Sequence, residues 1–276
     1  MGKGIVYMLI AAFAFAWMNL LAKYLTDFHP LQVVFFRALG TFVFIFPYMM
    51  YKKIPVIGAH VFWLSCRGLL SFVSLALFFI VIQRIPLGSA VALRYTAPIF
   101  SVILAYFFLK EKVKAWQWFS LLLSIVGAFV MKGVDFRIDA LSFILIIGSS
   151  LLVGGVFTIV RYLGSREHFL TIINYFMVFS IIGSLFFIKY WRMPMGQEWI
   201  WVCSIGILGL IGQVFLTRAF QLAETNTVAP IKYMELAYAL VLGFFLFDES
   251  YDFWAIAGMT LVVVGMLLNV WVKRKG

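Results

Sequence analysis

The sequence predicts an all-α integral membrane protein with ten transmembrane helices arranged as two inverted five-helix repeats, and three observations lead there. The first is composition: of 276 residues 64% are hydrophobic and 12% charged, with a mean hydropathy of +1.05. Soluble domains carry about a quarter of their residues as charges. The second is segmentation, because ten apolar stretches are each long enough, at about 1.5 Å per residue, to cross a hydrocarbon core of about 30 Å. The third is an internal echo. SAVALRYTAPIFSVILAYFFLKE, from Ser89, returns 138 positions later as TVAPIKYMELAYALVLGFFLFDE, from Thr227. Arg94 falls on Lys232, Tyr95 on Tyr233 and Glu111 on Glu249, and the register runs on from Gln83/Gln221 to Gly127/Gly265 without a gap. One ungapped offset held over that length points to a duplication, with repeats at 1–133 and 138–276.

In chain order the predicted spans are 4–24, 31–51, 60–82, 87–109, 115–131, 140–163, 169–188, 198–220, 225–247 and 253–272. The first ends in AKYLTD with no small-x-small cleavage site and reads as a retained span. Breakers mark the links: His29-Pro30, Ile54-Pro55, Pro86 and Met193-Pro194-Met195-Gly196. With the N-terminus inside, the loop and terminal cations divide eleven to six in favour of the cytoplasm, Lys52, Lys53, Lys110, Lys112, Lys114 and Arg166 being among the inner eleven and Lys23 among the outer six. That division predicts both termini on the cytoplasmic side of the cell inner (plasma) membrane. Five spans per repeat is an odd number, so the second repeat enters from the opposite face, and a site is expected near the midplane where the repeats meet.

Composition also excludes. The net charge of +11 suggests nucleic acid, yet no polar domain presents a basic face, so no nucleic-acid partner is expected. Cys66 and Cys203 sit inside apolar runs, which gives neither a disulfide framework nor a metal site. His29, His60 and His168 lie at span ends, and no paired acids or activated nucleophile assemble, so neither an enzyme, a metal nor a cofactor is expected. The expected partners are a small-molecule substrate and membrane lipid, in a monomer or homodimer.

Charge inside the spans carries the functional reading. Five cations, Arg37, Arg67, Arg94, Arg218 and Lys232, lie within apolar runs against one acid, Glu235. Each charge at that depth costs roughly 2.5–3.5 kcal/mol on insertion scales and faces a bundle interior or a watery cavity. One carboxylate cannot neutralise five cations, so the cavity favours an anion or the anionic end of a zwitterion. Arg94 and Lys232 straddle the midplane as the principal substrate-binding pair, or else cap helix carbonyls or pair internally. Glu235, three residues after Lys232, pairs with it along one helix, or takes up a proton and couples transport to it. Pro98 removes the hydrogen bond that would end on the Arg94 carbonyl, leaving it free to kink the helix or bind solute. Arg37 and Arg67 line cavity entrances or snorkel to headgroups, and Arg218 snorkels. Tyr95, Tyr233 and Trp17 are candidates to stack on solute, or are packing. Asn19, Asn174 and Gln213 bridge helices or touch substrate, while Gly154, Gly155, Gly206, Gly209 and Gly212 allow close helix contact. Glu111 and Glu249 end their spans as gate or loop-to-helix contacts.

The duplicated block ends in LKEKVKAWQWFSLLLSIVGAFVM and its copy FDESYDFWAIAGMTLVVVGMLLN. With the span count, it resembles the EamA branch of the drug/metabolite transporter superfamily over nearly the whole chain. VVFFRALG (33–40), CRGLLSF (66–72) and APIKYMEL (229–236) are similar to the branch that includes S-adenosylmethionine and organic-anion carriers. The resemblance implies a secondary transporter or exchanger with a central cavity between the repeats and no ATP hydrolysis. The sequence contains no P-loop. The leading expectation is therefore an alternating-access carrier of a small anionic or zwitterionic metabolite. Its alternatives are a proton-coupled S-adenosylmethionine or amino-acid-type carrier, a membrane enzyme, and a non-transporting scaffold.

Overall fold

A computed structural model describes residues 2–110, 115–134, 138–163, 166–222 and 230–274. Glu111, Lys112, Lys114 and Arg137 lie outside the described residues. The described residues form helices and no strands: α1 (Gly2–Tyr24), α2 (Pro30–Tyr51), α3 (Val61–Ile82), α4 (Leu87–Arg94), α5 (Ala97–Leu109), α6 (Ala115–Val134), α7 (Ala140–Leu163), α8 (Phe169–Leu185), α9 (Glu198–Leu222), α10 (Met234–Phe247) and α11 (Phe253–Arg274). Short 3-10 turns cover Ile188–Tyr190 and Pro230–Tyr233. Six helical stretches, Gly2–Tyr24, Pro30–Tyr51, Val61–Ile82, Leu87–Phe108, Ala140–Val160 and Glu198–Leu216, are long and apolar enough to cross a membrane. Leu121–Lys132, Phe169–Leu185 and Phe253–Gly265 are shorter apolar stretches. The outward surface is itself apolar, with Phe107, Phe108, Phe244 and Phe245 all exposed, which suits a hydrocarbon solvent and not water.

The starts of the helices follow local chemistry. His29 and His168 sit at N-caps, their Nδ1 atoms accepting the Leu31 and Leu170 amides at 3.3 and 3.2 Å, and Pro30 occupies a first-turn position where its missing N–H costs nothing. The predicted span 87–109 is discontinuous. Its helix stops at Arg94, turns through Tyr95 and Thr96, and restarts as α5 with Pro98 in the first turn. The carbonyls released there do not wait for solute. Thr96 Oγ1 donates to Leu93 O at 2.7 Å, and Ser150 Oγ of α7 lies 3.3 Å from Leu93 O and 3.5 Å from Arg94 O. Ser150 also reaches Ile146 O at 2.9 Å, so its single proton is shared among these acceptors. An unsatisfied carbonyl at membrane depth costs several kcal/mol, and helix neighbours of this kind are what make such a break tolerable.

The second half repeats these features at the same offset. The break at Tyr95–Thr96 corresponds to the end of the Pro230–Tyr233 turn, after which α10 begins. α5 ends in a left-handed residue, Lys110 (φ 53°), whose N–H bonds Ala105 O; α10 ends in Asp248 (φ 50°), whose N–H bonds Gly243 O. The main helix pairings are also preserved when the halves are exchanged. The contact of α1 with α9 corresponds to that of α3 with α7, α2–α9 to α3–α8, and α5–α7 to α10–α1. α6 and α11 correspond to each other and pack together, Ser124 Oγ donating to Val262 O at 3.3 Å.

Glycine permits the closest approach between halves. A Cβ on Gly40 of α2 would lie 2.6 Å from Gly206 Cα of α9, so any side chain there forces the two helices apart.

Candidate substrate cavity

The helix breaks and the glycine-lined contacts leave a cavity of about 220 Å³ at the centre of the bundle. α1 contributes Asn19, α2 Arg37, α3 Arg67, Ser71 and Ser74, α4 Arg94, α8 Phe176, α9 Gln213, the Pro230–Tyr233 turn Lys232 and α10 Glu235. Four of the five span cations and the lone span acid therefore share one hollow. Arg218 is elsewhere: it borders a separate apolar groove with Phe44, Tyr48, Phe169 and Val214.

Arg37 and Arg67 are buried and converge. Each guanidinium carbon lies 5.2 Å from the centroid of the Phe176 ring, so neither marks an entrance and neither snorkels. Arg37 Nε points at the weak acceptor Met18 Sδ at 3.1 Å, and its Nη1 has no partner among the described residues. Arg67 Nη1 donates to Ile172 O at 3.0 Å, while its Nε is unpartnered. Gly209 faces the Arg37 stem, a Cβ there falling 3.2 Å from Arg37 Cγ. Small-residue packing in α9 thus makes room for the arginine.

Arg94 lies over the Phe78 ring, its guanidinium carbon 4.0 Å from the centroid. Lys232 Nζ is 6.0 Å from the Tyr95 centroid. Among the described residues neither makes an ion pair. The alternative of Lys232 pairing with Glu235 along one helix does not take the form of an ion pair among the described residues, although Pro230–Tyr233 runs straight into α10. Glu235 is held instead by the first repeat: Asn19 Nδ2 donates to Oε1 and the Tyr95 hydroxyl to Oε2, each at 3.0 Å. Tyr95 OH is also 3.0 Å from Lys232 O, and Tyr233 packs edge-on against Tyr95 at 5.1 Å. Tyr95 and Tyr233 thereby orient Glu235 and are not among the cavity-lining residues; nor is Trp17, which meets Phe13 edge-on at 6.0 Å.

Sequence reasoning passed over Phe176 and Phe78 as platforms for the cations, since nothing separates them from the other phenylalanines. It also placed Lys23 among the outer-loop charges. In the structure Lys23 Nζ meets Glu249 Oε1 at 2.5 Å and donates to Ile85 O at 2.6 Å. Glu249 further accepts the Leu87 amide, 2.9 Å from both oxygens, and the Tyr251 hydroxyl. This cluster ties α1, the start of α4 and the loop after α10 together at one end of the bundle, the loop-to-helix contact expected of Glu249.

An apolar-surfaced helical bundle with broken helices around a charged central hollow is the architecture of a membrane transporter. The chain belongs to the EamA-like transporter family, whose model matches residues 2–132 and again 140–271. It is 30% identical over 271 residues to the pseudopaline exporter of Pseudomonas aeruginosa strain PAO1, covering 96% of this chain and 95% of that one. It is 25% identical to the S-adenosylmethionine uptake transporter of Rickettsia felis (99% and 94% coverage) and 27% identical to a mouse member of solute carrier family 35 (99% and 80%). A solved crystal structure shares the fold over 98% of each chain, with a TM-score of 0.65 at 15% identity.

Proposed function

We propose that this membrane transporter is a secondary carrier or exchanger of a small organic anion, or of a zwitterion recognised by its anionic end, working by alternating access through the central cavity. The observation that carries this reading is the charge of the cavity: Arg37, Arg67, Arg94 and Lys232 face it against Glu235 alone. A cation in a low-dielectric hollow with unfilled donors is destabilised until an acceptor arrives, so a bound anion recovers energy the empty cavity forgoes. The planar forks of the arginines suit carboxylate or phosphate oxygens, and Lys232 adds a point charge. The same charge disfavours a cationic sulfonium solute. The volume, about 220 Å³, lies below the roughly 300–1,000 Å³ of drug-sized sites and suits a small metabolite.

In this reading ten spans form two inverted repeats, both termini face the cytoplasm of a plasma membrane, and the repeats rock about the cavity. The protein moves its solute without altering it and so is a carrier and not an enzyme. Thermal-shift screening of the purified chain in detergent tests the binding claim, because a ligand that binds only the folded state raises the unfolding midpoint. Organic anions are expected to raise it and cations of similar size to leave it unchanged. A rise with cations alone would overturn the reading.

A further inference from the structure

We infer that the groove between α2, α8 and α9 is a lipid site, which holds one acyl chain of an anionic phospholipid and receives its phosphate at Arg218. The inference needs only a bundle that spans a membrane, and it holds whatever solute the central cavity carries.

The groove encloses about 320 Å³. Leu210, Val214 and Arg218 recur at every fourth position and share one face of α9, a different face from that of Gln213 and Leu216, which line the central cavity. Ile45, Leu170 and Ile173 are buried and form the floor, while Phe44, Tyr48 and Val214 are exposed at the lips. The walls are therefore hydrocarbon and the groove is open to the lipid side. Its length also fits. At about 1.5 Å per residue, Leu210 to Arg218 spans about 12 Å, close to one leaflet of a core about 30 Å thick.

The groove is polar at one end only. Tyr48 and Arg218 both lie within about one turn of the C-termini of their helices, α2 and α9. The start of α8 is tied to the same end, Thr171 Oγ1 donating to Pro55 O at 2.6 Å. This is where a headgroup belongs. Apolar walls alone accept any hydrocarbon, so charge selects the occupant. Arg218 is exposed and makes no hydrogen bond or ion pair among the described residues. Two more exposed cations flank it in the chain: Lys52, whose N–H bonds Tyr48 O at 3.0 Å, and Arg166, three residues before Phe169. The neighbouring acid, Glu167, is already engaged by the His60 N–H and ring at 2.7 and 2.9 Å. A phosphodiester offers two free oxygens to a guanidinium fork. A choline headgroup brings its own cation into this basic rim, whereas a glycerol headgroup leaves the phosphate unopposed. The chain would bridge α2 of the first half to α8 and α9 of the second, so binding stabilises the arrangement of the halves.

The test titrates the purified full chain in detergent with phosphatidylglycerol and with phosphatidylcholine of the same acyl chains, reading bound lipid by native mass spectrometry and the unfolding midpoint. One cation near the surface is worth about a fivefold preference for anionic lipid. Phosphatidylglycerol should therefore bind about fivefold tighter or more, and Arg218→Gln should lower that ratio about fivefold. Lys52→Gln and Arg166→Gln should each lower it less. Val214→Trp, which fills the groove from its lip, should weaken both lipids. Glycerol 3-phosphate, which has the anion and no chain, should leave the midpoint unchanged. Equal binding of the two lipids, a ratio untouched in folded Arg218→Gln, or one that falls as far in Lys52→Gln or Arg166→Gln, would overturn the site. So would a midpoint raised as far by glycerol 3-phosphate, since a free anion would then suffice.

Discussion

Glu249→Ala probes the contact that closes one end of the bundle. Glu249 and its partner Lys23 have side chains 7% and 14% exposed, so solvent screens their 2.5 Å contact little. Truncating the acid leaves Lys23 buried with one carbonyl partner, Ile85 O, and strips the Leu87 amide at the α4 N-terminus of its acceptor. Removing one member of a buried pair costs about 3–5 kcal/mol, most of it the penalty of the stranded charge. The double change Lys23→Met with Glu249→Leu strands nothing and should recover most of that loss. The assay is the unfolding midpoint in detergent for Lys23→Met, Glu249→Leu and the double, read as a thermodynamic cycle, with Glu249→Ala measured beside them. Coupling of about 2 kcal/mol or more is expected. Single variants that add independently, or a Glu249→Ala protein as stable as the parent, would refute the account of this cluster as a cross-repeat tie. Because the same residues join α1, α4 and the loop after α10, opening this end requires the tie to part. The single variants should therefore also speed modification of a cysteine placed in the cavity from that side.

Two further outcomes follow from the structure. Gly206→Leu sets a side chain where even a Cβ lies 2.8 Å from Gly40 Cα, and overpacking of that kind should cost about 1–3 kcal/mol or more, seen as a lowered unfolding midpoint. Glu167, in the loop before α8, is held below the usual carboxylate range: burial pushes it up, but hydrogen bonds from the His60 backbone N–H and ring, with that ring's charge and the Ala59 amide, outweigh it. A depressed folded value gives stability that is full above the ordinary carboxylate pKa and is lost as pH falls through the folded one. Glu167→Gln should therefore lower stability at pH 7 and flatten its decline in acid; an acid profile identical to the parent's would contradict this.

Much of the fold was legible because hydrocarbon imposes a simple rule on sequence: helices must be long and apolar, and the links between them carry the breakers. The duplication was legible for a related reason, since Arg94/Lys232 and Glu111/Glu249 are costly residues recurring at one offset. The left-handed caps at Lys110 and Asp248 carry the same offset into the backbone. Local spacing failed where the partner a side chain takes is remote in the chain. Lys232 and Glu235 are three residues apart, but Glu235 takes its hydrogen bonds from Asn19 and Tyr95 of the other repeat instead. The partners that replaced the expected ones are remote in the chain, Asn19 for Glu235 and Lys23 for Glu249, and no periodicity reports contacts at such range. Phe176 is hidden for a different reason. Its role comes from standing between two arginines on other helices, which composition cannot distinguish from packing.

Flux of labelled organic anions into liposomes, compared between the parent chain and Arg94→Ala and Lys232→Ala, addresses the charged cavity most directly. The account predicts saturable uptake by the parent and at least a tenfold loss in either folded variant. Uptake undiminished in both would contradict it.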